Sequence, residues 1–394
     1  TGKAIQLVTN DGAGNIGGGQ ADNIYFGTYY QSNDSTKEPV KWRVLSSGNQ
    51  QLFLLSDQNL EVFQYHTEEE DVTWKTSTMR SWLNGYGASS NSGGNSGIDY
   101  TSDNFLGSAF SDKEQAAIAQ TTVVNDDNTD YGTDGGDNTT DRIFLLSLSE
   151  IYNRQYFSKR IYPSTNTAYV AGKGMNGVGE NDWWWLRSPG FHHWQAAYIE
   201  DDGSPNTDGN RVDYDRTAVR PAFNLNLSSV LFTSAATADS GKSASGTDTG
   251  LTAVADYTDN EWKLTLKDST RSSFAISNAK WSGNTLTFSY SGAQTGTNEY
   301  ISAVIEDNGV ITYYGRILQL DGTTNDESGK ANLSLPSGVT LSETAKLYVF
   351  NEQYNGDKLT DYASELKNIS PASVPDPGPD PGPDPDPDPD PDPD

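Results

Sequence analysis

The run Val374 to Asp394 is almost pure Pro-Asp with interspersed glycine, and no other feature limits the fold so directly. Proline lacks an amide donor and restricts the residue before it, so this run can be neither helix nor central strand. It is expected to form an extended, self-repelling spacer reaching on the order of 60 Å at roughly 3.1 Å per residue. Such a spacer suits a protein held away from a cell wall, with a solubilising tail as the plainer alternative.

The chain of 394 residues has room for two or three domains at roughly 150 residues each. Its 11% aromatic content argues against a wholly disordered acidic polymer. The 54 Asp and Glu against 26 Lys and Arg leave a formal charge of -28, and no local basic patch offsets it. Long-range repulsion then opposes phosphate backbones and anionic membrane surfaces, so no nucleic-acid partner is expected. The absence of cysteine removes disulfides, thiolate metal sites and thiol nucleophiles. No stretch approaches the roughly 20 apolar residues of a bilayer span, so no membrane insertion is expected. The start at Thr1 shows no basic-then-apolar leader. Loops rich in Asn, Asp, Gly, Ser and Thr, together with the spacer, point to an extracellular, cell-wall-associated protein.

Composition shifts divide the chain into a first domain at 1–233, a small-residue linker at 234–250, a second domain at 251–372 and the spacer at 373–394. In the second domain, alternating runs such as Trp262 to Leu266, Thr285 to Phe288 and Tyr300 to Ile305 are separated by turn signals, Asp307-Asn308-Gly309 and Ser282-Gly283-Asn284 among them. About seven short strands without a helical period read as an immunoglobulin-like β-sandwich. The first domain mixes two periods. Asn23 to Tyr30, Val40 to Leu45 and Gln51 to Leu55 read as strands, while Ser111 to Glu114 and Ser147 to Glu150 match the helix capping box. An α+β domain is expected.

The segment Asp182-Trp183-Trp184-Trp185-Leu186-Arg187-Ser188-Pro189-Gly190, followed by Val219-Arg220-Pro221-Ala222-Phe223, resembles the signature of a functionally uncharacterised domain family of Gram-positive surface proteins. Ile24 to Gly27, Lys41 to Leu45, Trp74 to Asn84 and Arg142 to Ser147 resemble its other landmarks, so the likeness covers about 20 to 230. That family is in turn similar to the C-type-lectin-like fold of formylglycine-generating enzymes and retroelement-variable receptor-binding proteins. The resemblance implies a C-type-lectin-like α+β head whose last loops converge on one ligand-binding face.

Phe191-His192-His193-Trp194 directly follows a Pro-Gly turn and has no strand or helix face on which to hide its rings. By the resemblance, these four residues with Tyr214 and Arg216 would form a recognition patch. Aromatic faces stack on sugars, and Asp213, Asp215 and Arg216 can fix hydroxyl or carboxylate geometry. Packing over the domain's own core is the alternative. The tryptophan run reads as core, and Arg187 and Arg220 as internal struts. Adjacent histidines in an extended segment point apart, so His192 and His193 make no chelating pair. In the oxygen-rich loop Asn125 to Asp141, the carboxylates of Asp126, Asp130, Asp134, Asp137 and Asp141 could hold calcium, though Tyr131 occupies the glycine position of the EF-hand template.

The oxidation chemistry of formylglycine-generating relatives needs cysteines that this chain lacks, no nucleophile elbow is present, and paired carboxylates are uninformative in so acidic a sequence. The expected function is therefore non-catalytic: an adhesin-like binding protein whose head recognises an extracellular glycan or a host or bacterial surface protein. A purely structural surface module is the alternative, and an enzyme with an unrecognised site the third.

Overall fold

A computed structural model describes residues 2–8, 22–87, 99–246, 250–322 and 327–370. The Val374 to Asp394 spacer lies outside these described residues. Apolar alternation produces the first sheet, in which Asn23–Tyr30, Lys37–Gly48, Gln51–Ser56, Ala222–Asn226 and Ile143–Phe144 pair antiparallel in that order. Asn49 and Gln50 turn the hairpin between the second and third of these strands with φ of 52° and 59°, the left-handed values a tight two-residue turn requires. Gly27 sits at a register shift with φ 68°, where a Cβ would lie 2.6 Å from the Ala109 carbonyl. Only glycine fits that approach. A second sheet orders Pro205–Arg211, Gln195–Ile199, Trp184–Pro189, Ala218–Val219 and Glu61–Val62.

Trp184 and Trp185 are fully buried, and their indole N–H groups donate to the carbonyls of Tyr162 at 3.1 Å and Phe63 at 3.0 Å. The rings thus fill the core and tie loops to the sheet. Arg187 and Arg220 are buried beside them, Arg187 on the Glu150 carboxylate and Arg220 on the Ser56 carbonyl at 2.9 Å. Arg220 also lies 4.9 Å from the Trp184 ring. Both act as internal struts, which keeps their donors satisfied away from water.

The α+β lectin-like head does not hold. Strand makes up 42% of the structure against 12% helix, in several sheets. The helical signals are real but short: the described residues hold five α-helices, the longest of them Thr78–Asn84. Both capping boxes form, Ser111 with Glu114 and Ser147 with Glu150. A capping box fixes where a helix starts and says nothing about how far it runs. Asp112–Ala117 and Leu148–Tyr152 stop after little more than one turn.

Within residues 251–370 a three-stranded sheet of Ala275–Ser282, Thr285–Ser291 and Gly329–Ser334 faces Val310–Gln319, Glu299–Asp307 and Ala345–Gln353 across a core containing Phe288, Ile301, Ile305 and Val349. The larger layer does not close as an independent immunoglobulin-like unit. It continues through Asp361–Ala363 to Glu261–Lys267, which pairs parallel with Asp361–Ala363 through Thr265, Leu266 and Lys267 and parallel with Asn23–Tyr30 through Glu261, Trp262 and Lys263. One edge of a single strand thus carries the sheets of both halves. Its other edge pairs antiparallel with Val230–Ala235, which also receives Ile5–Leu7. The stretch 234–250 accordingly begins inside a strand and then places Lys242 in the interior. Further ties cross the junction. Lys113 meets Asp268 at 2.5 Å, and the buried Glu114 accepts from the Thr360 hydroxyl at 2.6 Å.

Candidate functional site

The Gly190 to Trp194 loop joins the Trp184–Pro189 and Gln195–Ile199 strands, and its backbone is tightly fixed. The Phe191 amide donates to the Asp208 carbonyl at 2.8 Å, and the Phe191 carbonyl accepts from Thr133 Oγ1 at 2.9 Å. The His193 carbonyl accepts from the Val72 amide at 3.0 Å, and that of Trp194 from the Val212 amide at 3.1 Å. With its main chain occupied in this way, the loop turns its rings outward. Phe191 is 50% exposed and meets the edge of Tyr131, itself 43% exposed, at a centroid distance of 4.7 Å. His192 lies 4.4 Å from Phe191 and stacks on Trp194 at 5.1 Å with an interplanar angle of 17°. Tyr131, Phe191, His192 and Trp194 therefore form a row of four rings, with Trp194 and His193 half-buried. The Tyr131 hydroxyl donates to Asp208 Oδ1, an interaction that pushes its pKa up and fixes the ring.

Tyr131 was not among the expected residues. The signal was present, because it is the lone aromatic in the Asn125 to Asp141 loop and has no regular face on which to hide. What the sequence does not show is that this loop lies against the 191–194 loop. Asn128 makes that contact, its side-chain amide donating to the carbonyls of Pro189 and Thr207, both at 2.9 Å.

The other expected residues sit elsewhere. Tyr214 and Arg216 line a separate depression of about 250 Å³ with Met175, Trp183 and Asp201. Tyr214 leans on Trp183 at 6.4 Å, and Arg216 Nη2 donates to the Gly174 carbonyl at 2.5 Å. Asp213 is paired with Arg211 at 2.7 Å, whose hydrogen bond holds the carboxyl below its ordinary pKa. Arg211 also reaches Glu69 at 2.9 Å. Asp215 is exposed. The expected single patch thus resolves into an aromatic row and an aromatic-lined depression with no lining residue in common.

The five carboxylates considered for calcium point to different partners. Asp126 accepts from Ser149 at 2.8 Å, Asp134 from the Gly136 amide at 2.8 Å, and Asp137 pairs with Lys75 at 2.8 Å. Asp130 is exposed, while Asp141 is buried and accepts from Trp74, Arg80, Tyr86 and Thr139. Among the described residues no group of three or more His, Asp or Glu side chains is placed to hold a metal ion. His66 is enclosed, its Nδ1 accepting the Thr78 amide at 3.1 Å and its Nε2 facing Glu70 at 2.8 Å. It serves the fold.

A further cleft of about 510 Å³, not anticipated from the sequence, opens where the two halves meet and is lined by Tyr25, Lys41, Asn166, Val178 and Lys358. Its cations are engaged, Lys41 by Glu261 at 2.8 Å and Lys358 by the Tyr25 ring at 4.9 Å.

Residues 49–227 match a domain of unknown function, DUF6273. No curated protein and no solved structure matches the chain. The matched span contains the aromatic row and the depression and ends before the strand that joins the halves. No described helix is long and apolar enough to cross a membrane.

Proposed function

We propose that the protein is a non-catalytic, extracellular binding protein whose ligand lies across the row Tyr131, Phe191, His192 and Trp194. The observation that carries this reading is the exposure of Phe191 and Tyr131 on loops whose backbones are already hydrogen-bonded. Apolar rings held rigidly in water cost little extra ordering when a partner covers them. Carboxylates border the row, with Asp208 on the Tyr131 hydroxyl. Stacking faces beside hydroxyl-binding carboxylates suit a carbohydrate, and a protein surface is the other ligand class the chemistry allows. The depression at Trp183, Tyr214 and Arg216 offers a second place for an extended ligand. Export and attachment to a cell wall are supported by the Pro-Asp run and by the loops rich in Asn, Asp, Gly, Ser and Thr.

The test is a glycan array with the intact chain, repeated with Phe191→Ala and Trp194→Ala. Binding that falls at least tenfold in both variants, with melting temperatures within a few degrees of the parent, supports the reading. Unchanged binding in both variants would place recognition elsewhere. No binding to glycans or surface proteins by the parent, with a large loss of stability in the variants, would make the rings part of a structural module.

A further inference from the structure

Lys242, Lys263, Glu352 and Asp361 meet in the interior where the two halves join, and each side chain is no more than 1% exposed. Such a cluster is usually read as two ion pairs. The two oxygens of Asp361, however, are treated differently. Oδ1 accepts from Lys263 Nζ at 2.8 Å and from the Asn355 backbone amide at 2.8 Å. Oδ2 faces Lys242 Nζ at 2.7 Å. Lys242 Nζ also donates to Glu352 Oε2, while the other Glu352 oxygen accepts from Ser302 Oγ at 2.6 Å and from the Tyr314 hydroxyl. The rings of Tyr314 and Tyr354 stand 5.5 Å and 5.6 Å from Lys242 Nζ.

We propose that Lys242 and Asp361 condense within the folded chain to an amide cross-link, with Glu352 carrying the protons and with Lys263 and the Asn355 amide holding the oxygen that stays. Lys242 begins as an ammonium. It gives a proton to Glu352, and the freed Nζ attacks Asp361 Cγ. Negative charge then gathers on Oδ1, where two donors already wait in a site closed to water. The Cγ–Oδ2 bond breaks and Oδ2 leaves as water, taking one proton from Glu352 and the other from the attacking nitrogen. One ammonium and one carboxylate become one amide and one water, and Glu352 and Lys263 end in their starting charge states. No oxidant, cofactor or activated donor is needed. In bulk water this condensation runs uphill, but fixing the two groups in contact supplies an effective concentration on the order of 10⁵ M or more.

The experiment is the intact mass of the purified full chain under denaturing conditions, followed by sequencing of its proteolytic peptides. The parent is expected to be one water lighter than its sequence, with a branched peptide joining the segments around Lys242 and Asp361. Lys242→Ala and Glu352→Gln are expected at the full mass of their own sequences. A parent at full mass with both segments recovered as separate linear peptides would overturn the proposal and leave an ordinary ion cluster. A branch through Lys263 would overturn the assignment of the nucleophile. The reading of the parent does not depend on either variant folding.

Discussion

Arg187 is held by its side chain on the carbonyls of Leu145 and Val124 at 2.7 Å each, on Asn125, and on both oxygens of Glu150. Removing it strands the buried Leu145 carbonyl, the Val124 carbonyl and the part-buried Glu150 carboxylate together, so Arg187→Met should cost about 3 kcal/mol in urea unfolding. A loss below about 1 kcal/mol, the worth of an exposed pair, would show the network to be dispensable. Its role was legible because a guanidinium in apolar text has few other ways to be satisfied. The rings of the recognition row were legible one loop at a time: Phe191 and Trp194 by their place after a Pro-Gly turn, Tyr131 only in retrospect. The loop–loop contact through Asn128 depends on strands that pair far along the chain, and no local pattern announces it. The lectin-like resemblance groups Tyr214 and Arg216 with the row, yet their depression lies by Trp183 and Asp201, at the opposite end of the Trp184–Pro189 and Gln195–Ile199 pair from the 191–194 loop.

The Asp112–Ala117 helix shows how one element serves two purposes. Glu114 closes the capping box with the Ser111 amide at 2.9 Å and also accepts from the Gly27 amide at 3.2 Å and the Thr360 hydroxyl at 2.6 Å. Ser111→Ala removes the cap together with a part-exposed hydroxyl contact to Tyr362 at 2.9 Å, and should cost about 1 kcal/mol. Glu114→Ala also strands a buried amide and hydroxyl, and should cost roughly twice that or more by equilibrium unfolding. Equal losses in the two variants would mean that the Gly27 and Thr360 contacts of Glu114 add nothing. The caps could be read from four consecutive residues because capping is local. The brevity of the helices could not, since the chain beyond each cap is drawn into strand pairing by partners elsewhere, and this is why the expected α+β balance gave way to sheets.

At the scale of the molecule, the two halves share the Glu261–Lys267 strand. Calorimetry should therefore show a single unfolding transition, and two well-separated transitions would refute the coupling. The junction is also pH-linked. Burial pushes the Asp268 carboxyl up, but hydrogen bonds from Lys113 and Thr270 outweigh it and leave the pKa below its ordinary value. A carboxyl lowered by folding adds stability above its unfolded pKa of about 3.9, and that contribution disappears as pH falls through the folded value. Asp268→Asn should thus be less stable than the parent at neutral pH, with the gap narrowing toward pH values of about 3 and below. A gap independent of pH would remove the carboxylate from the account. The shared strand has a mechanical consequence as well. Tension applied between residues 2 and 370 would load the pairings that run from Ile5–Leu7 through Val230–Ala235 and Glu261–Lys267 to Asp361–Ala363. The region carrying the aromatic row hangs beside that path, so a tether could be pulled taut while its gripping surface stays slack.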